Sequence, residues 1–202
     1  VKDVIAEEKW KSTNDPNIPA GLLNEDGEPV KSEITKPINA YDADLFGLEF
    51  AYQRDFGFIA PSLKCLGFYG TYTYTHSSTK KHQFEHRTLE EGEDIKMTGS
   101  PEHTANASLY FENKGLNVRL SYNFASDFVD EFGTVAALDR YYDKVNYLDL
   151  NASYTFGKKF KTTFYAEANN LLNQPLRYYQ GTKDRTMQAE YYGMRLNAGV
   201  KI

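Results

Sequence analysis

Four consecutive residues, Arg177-Tyr178-Tyr179-Gln180, combine a planar cation, two amphipathic rings and an amide. An arginine fork suits an anionic group, and tyrosine rings stack on the flat faces of sugars or metal chelates. This stretch is the substrate-binding candidate. The same residues also admit a plainer reading, with Tyr178 and Tyr179 as rings at a lipid boundary and Arg177 in a rim ion pair. His82 and His86 stand four apart, and His76 and His103 flank the same polar stretch. A helical His pair can hold a metal, but no further ligand motif supports one here, so these read as loop histidines with no metal. The run Glu90-Glu91-Gly92-Glu93-Asp94 offers oxygen ligands without the spaced Asp/Asn pattern of a calcium loop. It reads as a solvated loop. No Gly-rich phosphate loop, nucleophile elbow or zinc motif is present, so no catalytic residue and no cofactor is nominated.

The elements that must position these residues are strands. In Tyr192–Ile202 the even positions carry Tyr192, Met194, Leu196, Ala198, Val200 and Ile202, and the odd ones carry Gly193, Arg195, Asn197, Gly199 and Lys201. Period two sends those sets to opposite faces of a strand. The same alternation marks strands over about 43–54, 64–76, 103–112, 116–125 and 144–156, and more weakly over 160–170, where Thr162 interrupts the apolar face. Glu112-Asn113-Lys114-Gly115 reads as a tight turn, with Asn113 and Gly115 supplying positive φ. The connections alternate short and long. Glu49, Arg119, Asp149, Glu167 and Arg195 all fall on the polar face, where a dry core would make them costly. A wet lumen removes that cost, so these five are expected to face one, paired with each other or with an interior domain.

Composition agrees with that reading and excludes others. Mean hydropathy is −0.62, and no run of about 18 apolar residues exists, so a helical membrane span is excluded. A barrel wall tolerates low hydropathy because half of every strand and all loops face water. The 16 Tyr and 13 Phe against one Trp suit aromatic girdles at a membrane boundary. A net charge of −5 without a basic stripe argues against a nucleic-acid partner. Cys65 is the sole cysteine, so no intrachain disulfide forms. Residues 1–42 are polar and turn-rich and read as a long extracellular loop, preceded by the end of another strand at Val4 and Ile5. Residues 43–202 form the wall. Its seven strands, an odd number, suggest part of a larger sheet. The opening residues Val1–Glu8 lack a signal peptide's apolar core, so an exported chain would begin here as a mature or truncated piece.

The segment Tyr165-Ala166-Glu167-Ala168-Asn169-Asn170-Leu171-Leu172-Asn173-Gln174-Pro175-Leu176-Arg177-Tyr178-Tyr179-Gln180-Gly181 resembles the penultimate strand and last outer loop of TonB-dependent outer-membrane receptors. Arg185–Arg195 is similar to the entry of their closing strand, and Ser100–Tyr110 with Leu120–Phe124 to a preceding hairpin. The likeness covers about 43–202. Closing strands of that family tend to end in an aromatic residue, whereas this one stops at Ile202. The resemblance implies an antiparallel transmembrane β-barrel of about 22 strands, of which these are the C-terminal seven. It also implies a plug domain of the same receptor inside the barrel, a TonB box and energy supplied by TonB, ExbB and ExbD. The expected role is active uptake of a scarce nutrient such as a siderophore, cobalamin or oligosaccharide across the outer membrane of a Gram-negative bacterium. Outer-membrane lipid and a surface lipoprotein are the further expected partners. Two alternatives stay open on the residues alone: a passive porin or other outer-membrane channel, and a soluble secreted β-sheet binding module.

Overall fold

The computed structural model describes residues 4–14, 19, 21–82, 87, 93, 95–158 and 160–202. Among them twelve strands run in chain order: β1 Val4–Ser12, β2 Ser32–Asp55, β3 Leu66–His82, β4 His103–Asn113, β5 Leu116–Ala125, β6 Phe128–Glu131, β7 Arg140–Tyr142, β8 Val145–Phe156, β9 Thr162–Asn169, β10 Leu176–Gln180, β11 Thr186–Glu190 and β12 Arg195–Lys201. The main sheet is antiparallel in the order β1-β2-β3-β4-β5-β8-β9-β12, and a second sheet has the order β11-β10-β7-β6. The second sheet repeats the lateral order of β5, β8, β9 and β12. It is the continuation of those four strands beyond short breaks.

Register carries the two-faced pattern from β3 to β12. Phe68, Leu109, Leu120, Leu150, Ala168 and Leu196 form one cross-strand row. One residue along, Gly67, Tyr110, Arg119, Asn151, Glu167 and Asn197 form the next, on the opposite face. A slip of one residue in any pair would put its leucines among the charges, so the pattern itself fixes the register. Two tyrosines on the polar face lie over glycines of the neighbouring strand: an added Cβ at Gly67 would overlap the Tyr110 ring, and one at Gly199 would overlap Tyr165. At the β4–β5 turn the positive φ values belong to Lys114 (46°) and Gly115 (88°), a primed two-residue hairpin. Asn113 ends β4 instead of turning.

The apolar face has no layer of protein over it among the described residues. Leu109 stands on β4, between β3 and β5, yet is 51% exposed; Leu120 on β5 is 37% exposed. The buried hydrophobic residues Ala43, Ile95, Val129, Phe132 and Tyr179 all sit beyond one end of the wall, where the long connections gather. Rings bracket the aliphatic middle of the face. Tyr142 meets both Phe128 and Tyr178 at the long-connection end, and Phe156 meets both Tyr154 and Phe164 near the short turns. From Tyr142 to Tyr154 is twelve residues, about 40 Å of strand and about 28 Å of height at a tilt of about 45°.

Several segments read as loops prove to be strands. Residues 1–42 contain β1 and the first eleven residues of β2, paired from Val4↔Tyr41 to Ser12↔Ser32. The main sheet accordingly has eight strands where alternation marked seven. The stretches 126–143 and 171–189 hold β6, β7, β10 and β11. Their residues escape a period-two reading because polar and apolar side chains mix on both faces once a strand leaves the band.

The break between β9 and β10 is held by a polar knuckle. Asn170, buried and at φ 58°, takes the left-handed conformation that asparagine tolerates better than most residues. Its amide nitrogen donates to the backbone carbonyls of Gln174 (3.1 Å) and Gly193 (3.3 Å), and its Oδ1 accepts from Gln174 N–H (2.7 Å). The backbone N–H of Asn170 donates to Asp149 Oδ1 (2.8 Å), and Gln174 Oε1 accepts from Asn146 N–H (3.2 Å). Replacing Asn170 by Ala removes these side-chain bonds and keeps the strained φ, so a loss of about 3 kcal/mol is expected. Asn170→Gly relieves the φ and should cost about 1 kcal/mol less. Reversible denaturant unfolding of the two variants checks that order.

Candidate functional site

Beyond the wall, the long connections are joined by charges. Arg87, from the β3–β4 connection, has a side chain only 2% exposed. It donates to both oxygens of Asp139 (2.5 and 3.0 Å), to the Gly133 carbonyl (2.8 Å) and to Glu93, and its guanidinium lies 5.1 Å from the Phe132 ring centre. Asp139 also accepts from the Gly133 N–H at 2.8 Å. One side chain thereby ties the β3–β4 connection to the turn between β6 and β7. Next to it, Thr79 donates to the Ile95 carbonyl (2.7 Å) and Ser77 accepts from Met97 N–H (3.0 Å), so β3 is stitched to the same connection.

The four candidate residues of β10 divide between different surroundings. Arg177 pairs with Asp143 (2.7 Å), bonds Thr186 Oγ1 through Nε and Nη2 (3.1 and 2.9 Å) and donates to the Lys183 carbonyl. Its donors are engaged by the protein, as a rim ion pair would be. Tyr178 meets Tyr142 edge-on and lies beneath Arg140. Tyr179 is 3% exposed, stacks flat on Tyr141 (5.0 Å, 3°) and donates its hydroxyl to Asp127. Burial first, and then the Asp127 carboxylate, push the Tyr179 hydroxyl well above its ordinary pKa. Gln180 alone of the four lines an open groove.

That groove, about 640 Å³, lies between three connections. The β1–β2 hairpin contributes Trp10, Lys11 and Glu33; the β6–β7 segment contributes Glu131 and Arg140; β10 and β11 contribute Gln180 and Met187. Phe132 and Leu138 add apolar lining. Arg140 is held by Asp130 (2.5 Å) and Glu131 (2.9 Å), and Lys11 faces Glu33 directly across the β1–β2 pair. Composition hid this site because its members lie up to 177 residues apart in segments read as loops. The one signal was Trp10, the sole tryptophan, standing in a polar stretch.

Glu49, Arg119, Asp149, Glu167 and Arg195 share the polar face of the wall, as alternation requires. Arg119 and Glu167 occupy one row with Asn151 between them, which sets them two strands, about 9.6 Å, apart. Among the described residues no ion pair joins them. Arg119 instead lies over Tyr110, and Asp149 belongs to the knuckle. Of the histidines, His76 is 3.7 Å from Glu102, and His103 bonds the Tyr72 hydroxyl at 2.8 Å. Of the His82–His86 pair, His82 ends β3 and His86 lies outside the described residues, as does the acidic run apart from Glu93. Among the described residues no group of three metal-ligating side chains converges.

Comparison with known proteins gives one match. The sequence model of the family described as "TonB dependent receptor-like, beta-barrel" matches residues 10–171, from Trp10 on β1 to the middle of the knuckle. No curated protein and no solved structure matches the chain.

The Asp127 contacts give the outer sheet a pH dependence. Burial disfavours its charge, but the Tyr179 hydroxyl and the Lys183 ammonium (3.1 Å) outweigh burial and hold its carboxyl below the ordinary range. A depressed carboxylate contributes stability above its unfolded pKa of about 3.9 and loses it as pH falls through the lower folded value. The β10–β11 hairpin should therefore loosen below about pH 4. Asp127→Asn should loosen it at neutral pH and abolish that part of the acid dependence. Amide hydrogen exchange at residues 176–190, followed from pH 7 to acid, reads both effects.

Proposed function

Because the chain belongs to the TonB-dependent receptor β-barrel family, we propose that it forms wall and outer loops of an active outer-membrane transporter. The cargo is a scarce nutrient of the siderophore, cobalamin or oligosaccharide kind. The observation that carries this reading is the continuous register, with one uncovered apolar face and one polar face across β3, β4, β5, β8, β9 and β12. Hydrocarbon covers the first face and a hydrated lumen wets the second. The edges β1 and β12 pair with further strands of the closed barrel, which removes the aggregation hazard of an open edge. Glu49, Arg119, Glu167 and Arg195 then face a plug domain, whose coupling to TonB, ExbB and ExbD supplies the energy. The groove at the long-connection end faces the cell exterior, where ligand, or a surface lipoprotein delivering it, arrives first. No catalytic role is proposed.

Two measurements test this. Cells carrying the complete receptor gene should accumulate its ligand against a gradient, and a protonophore or loss of TonB should abolish that accumulation; uptake indifferent to both would indicate a passive channel. In the membrane, Leu120→Arg should destabilise the barrel by about 2–4 kcal/mol, because the charge enters the middle of the hydrocarbon. Asn123→Arg, three residues on but facing the lumen, should cost less than about 1 kcal/mol. Equal costs in guanidinium titrations from lipid vesicles would place both faces in the same medium.

A further inference from the structure

The groove bounded by Trp10 has a lining whose charges cancel. Lys11 and Arg140 give two positive charges, Glu33 and Glu131 two negative, and the sum is zero. Arg140 is committed to Asp130 and Glu131, and the charge of Lys11 is offset by that of Glu33, its partner in the β1–β2 register. A polyanionic ligand such as a ferric catecholate would lose its hydration and find no excess of positive charge to replace it. What the groove does offer is a flat indole beside apolar Leu138 and Met187, with carboxylates and the Gln180 amide around them. That combination suits a molecule with apolar C–H faces and hydroxyl edges. Its volume of about 640 Å³ falls within the range of small-molecule sites and admits a few sugar rings.

We infer that this groove binds an uncharged oligosaccharide, with the Trp10 indole stacked on a sugar face and Glu33, Glu131 and Gln180 bonding its hydroxyls, which deepens the importer reading and rests on it. The charged groups serve as hydrogen-bond acceptors and donors, so affinity depends little on ionic strength.

The test uses purified full-length receptor in detergent, with its Trp10→Phe variant subtracted to isolate the Trp10 emission. The probes are a panel of neutral oligosaccharides, three to six units long, from the common α- and β-linked plant and microbial glucans, mannans and xylans, and in parallel a ferric catecholate complex. A saturable shift of Trp10 emission with at least one neutral glycan is expected. Its affinity should change less than threefold between about 0.05 and 0.5 M salt. Trp10→Ala should weaken calorimetric binding of that glycan at least tenfold, and Glu131→Gln by a smaller factor. Should the catecholate alone shift the emission, or affinity collapse with salt, the ligand class is overturned. The same holds if no member of the panel moves Trp10, or if Trp10→Ala leaves affinity intact. Because binding in detergent needs no energy source, these failures differ from a failure of the importer reading, in which glycan binds but protonophore-sensitive uptake is absent.

Discussion

Among the described residues nothing lies over the oily face of the sheet, and such a face must be covered from outside. In a soluble sandwich, Leu109, Leu120 and Leu150 would meet a facing sheet about 10 Å away. Here they stand exposed in the middle of eight strands. The backbone groups of those strands are satisfied only laterally, by the ladder, which is the arrangement hydrocarbon permits. From that constraint the rest follows. Alternation must be strict within the band, because each side chain meets either lipid or water. Register cannot slip. The small hydrophobic core can form only beyond the band, and Ala43, Ile95, Val129 and Phe132 are found there.

How much of this was written plainly in the residues depends on where the medium changes. Within the band, alternation located β4, β5, β8, β9 and β12 to within three residues at each end, and β3 at its start but six residues short of its end at His82, because lipid on one side and water on the other impose period two. The lower half of β2 was equally plain. Its upper half was not: Ser32–Ala43 reads Ser-Glu-Ile-Thr-Lys-Pro-Ile-Asn-Ala-Tyr-Asp-Ala, a composition that water on both sides allows to be polar throughout. β1, β6, β7, β10 and β11 were hidden for the same reason. The groove was hidden more deeply, since its walls come from three such segments and no local spacing links Trp10 to Glu131 or Gln180. The Arg177–Gln180 run was conspicuous by residue type, yet Arg177 and Tyr179 spend their polar atoms on Asp143, Thr186 and Asp127.

The outer connections use charge where the wall uses hydrophobic contact. A buried pair such as Arg87–Asp139 is weak evidence of net stability, because desolvating both ions offsets much of their attraction. Its effect is on geometry. A guanidinium that bonds Asp139 at two points and also reaches Glu93 and the Gly133 carbonyl admits one arrangement of the two connections that supply them. Breaking any one member would leave the others charged and buried. Long segments with little apolar surface are thereby held in one shape.

The knuckle at Asn170–Pro175 reconciles these two regimes. A strand running unbroken from the lipid band into the outer sheet would carry its register and twist with it, and every adjustment of the groove would propagate into the wall. At Asn170 the chain turns through a left-handed residue, leaves one ladder and enters another at Leu176, with Asn170 and Gln174 meeting the backbone groups released on both sides. The neighbouring strands break at the same height, between Ala125 and Phe128 and between Tyr142 and Val145. The wall and the outer sheet are thus two ladders on one set of strands. The lower can stay fixed by the membrane while side chains of the upper are exchanged, since substitutions there meet no demand for alternation. A run such as Asn-Leu-Leu-Asn-Gln-Pro therefore works as a joint between the two ladders.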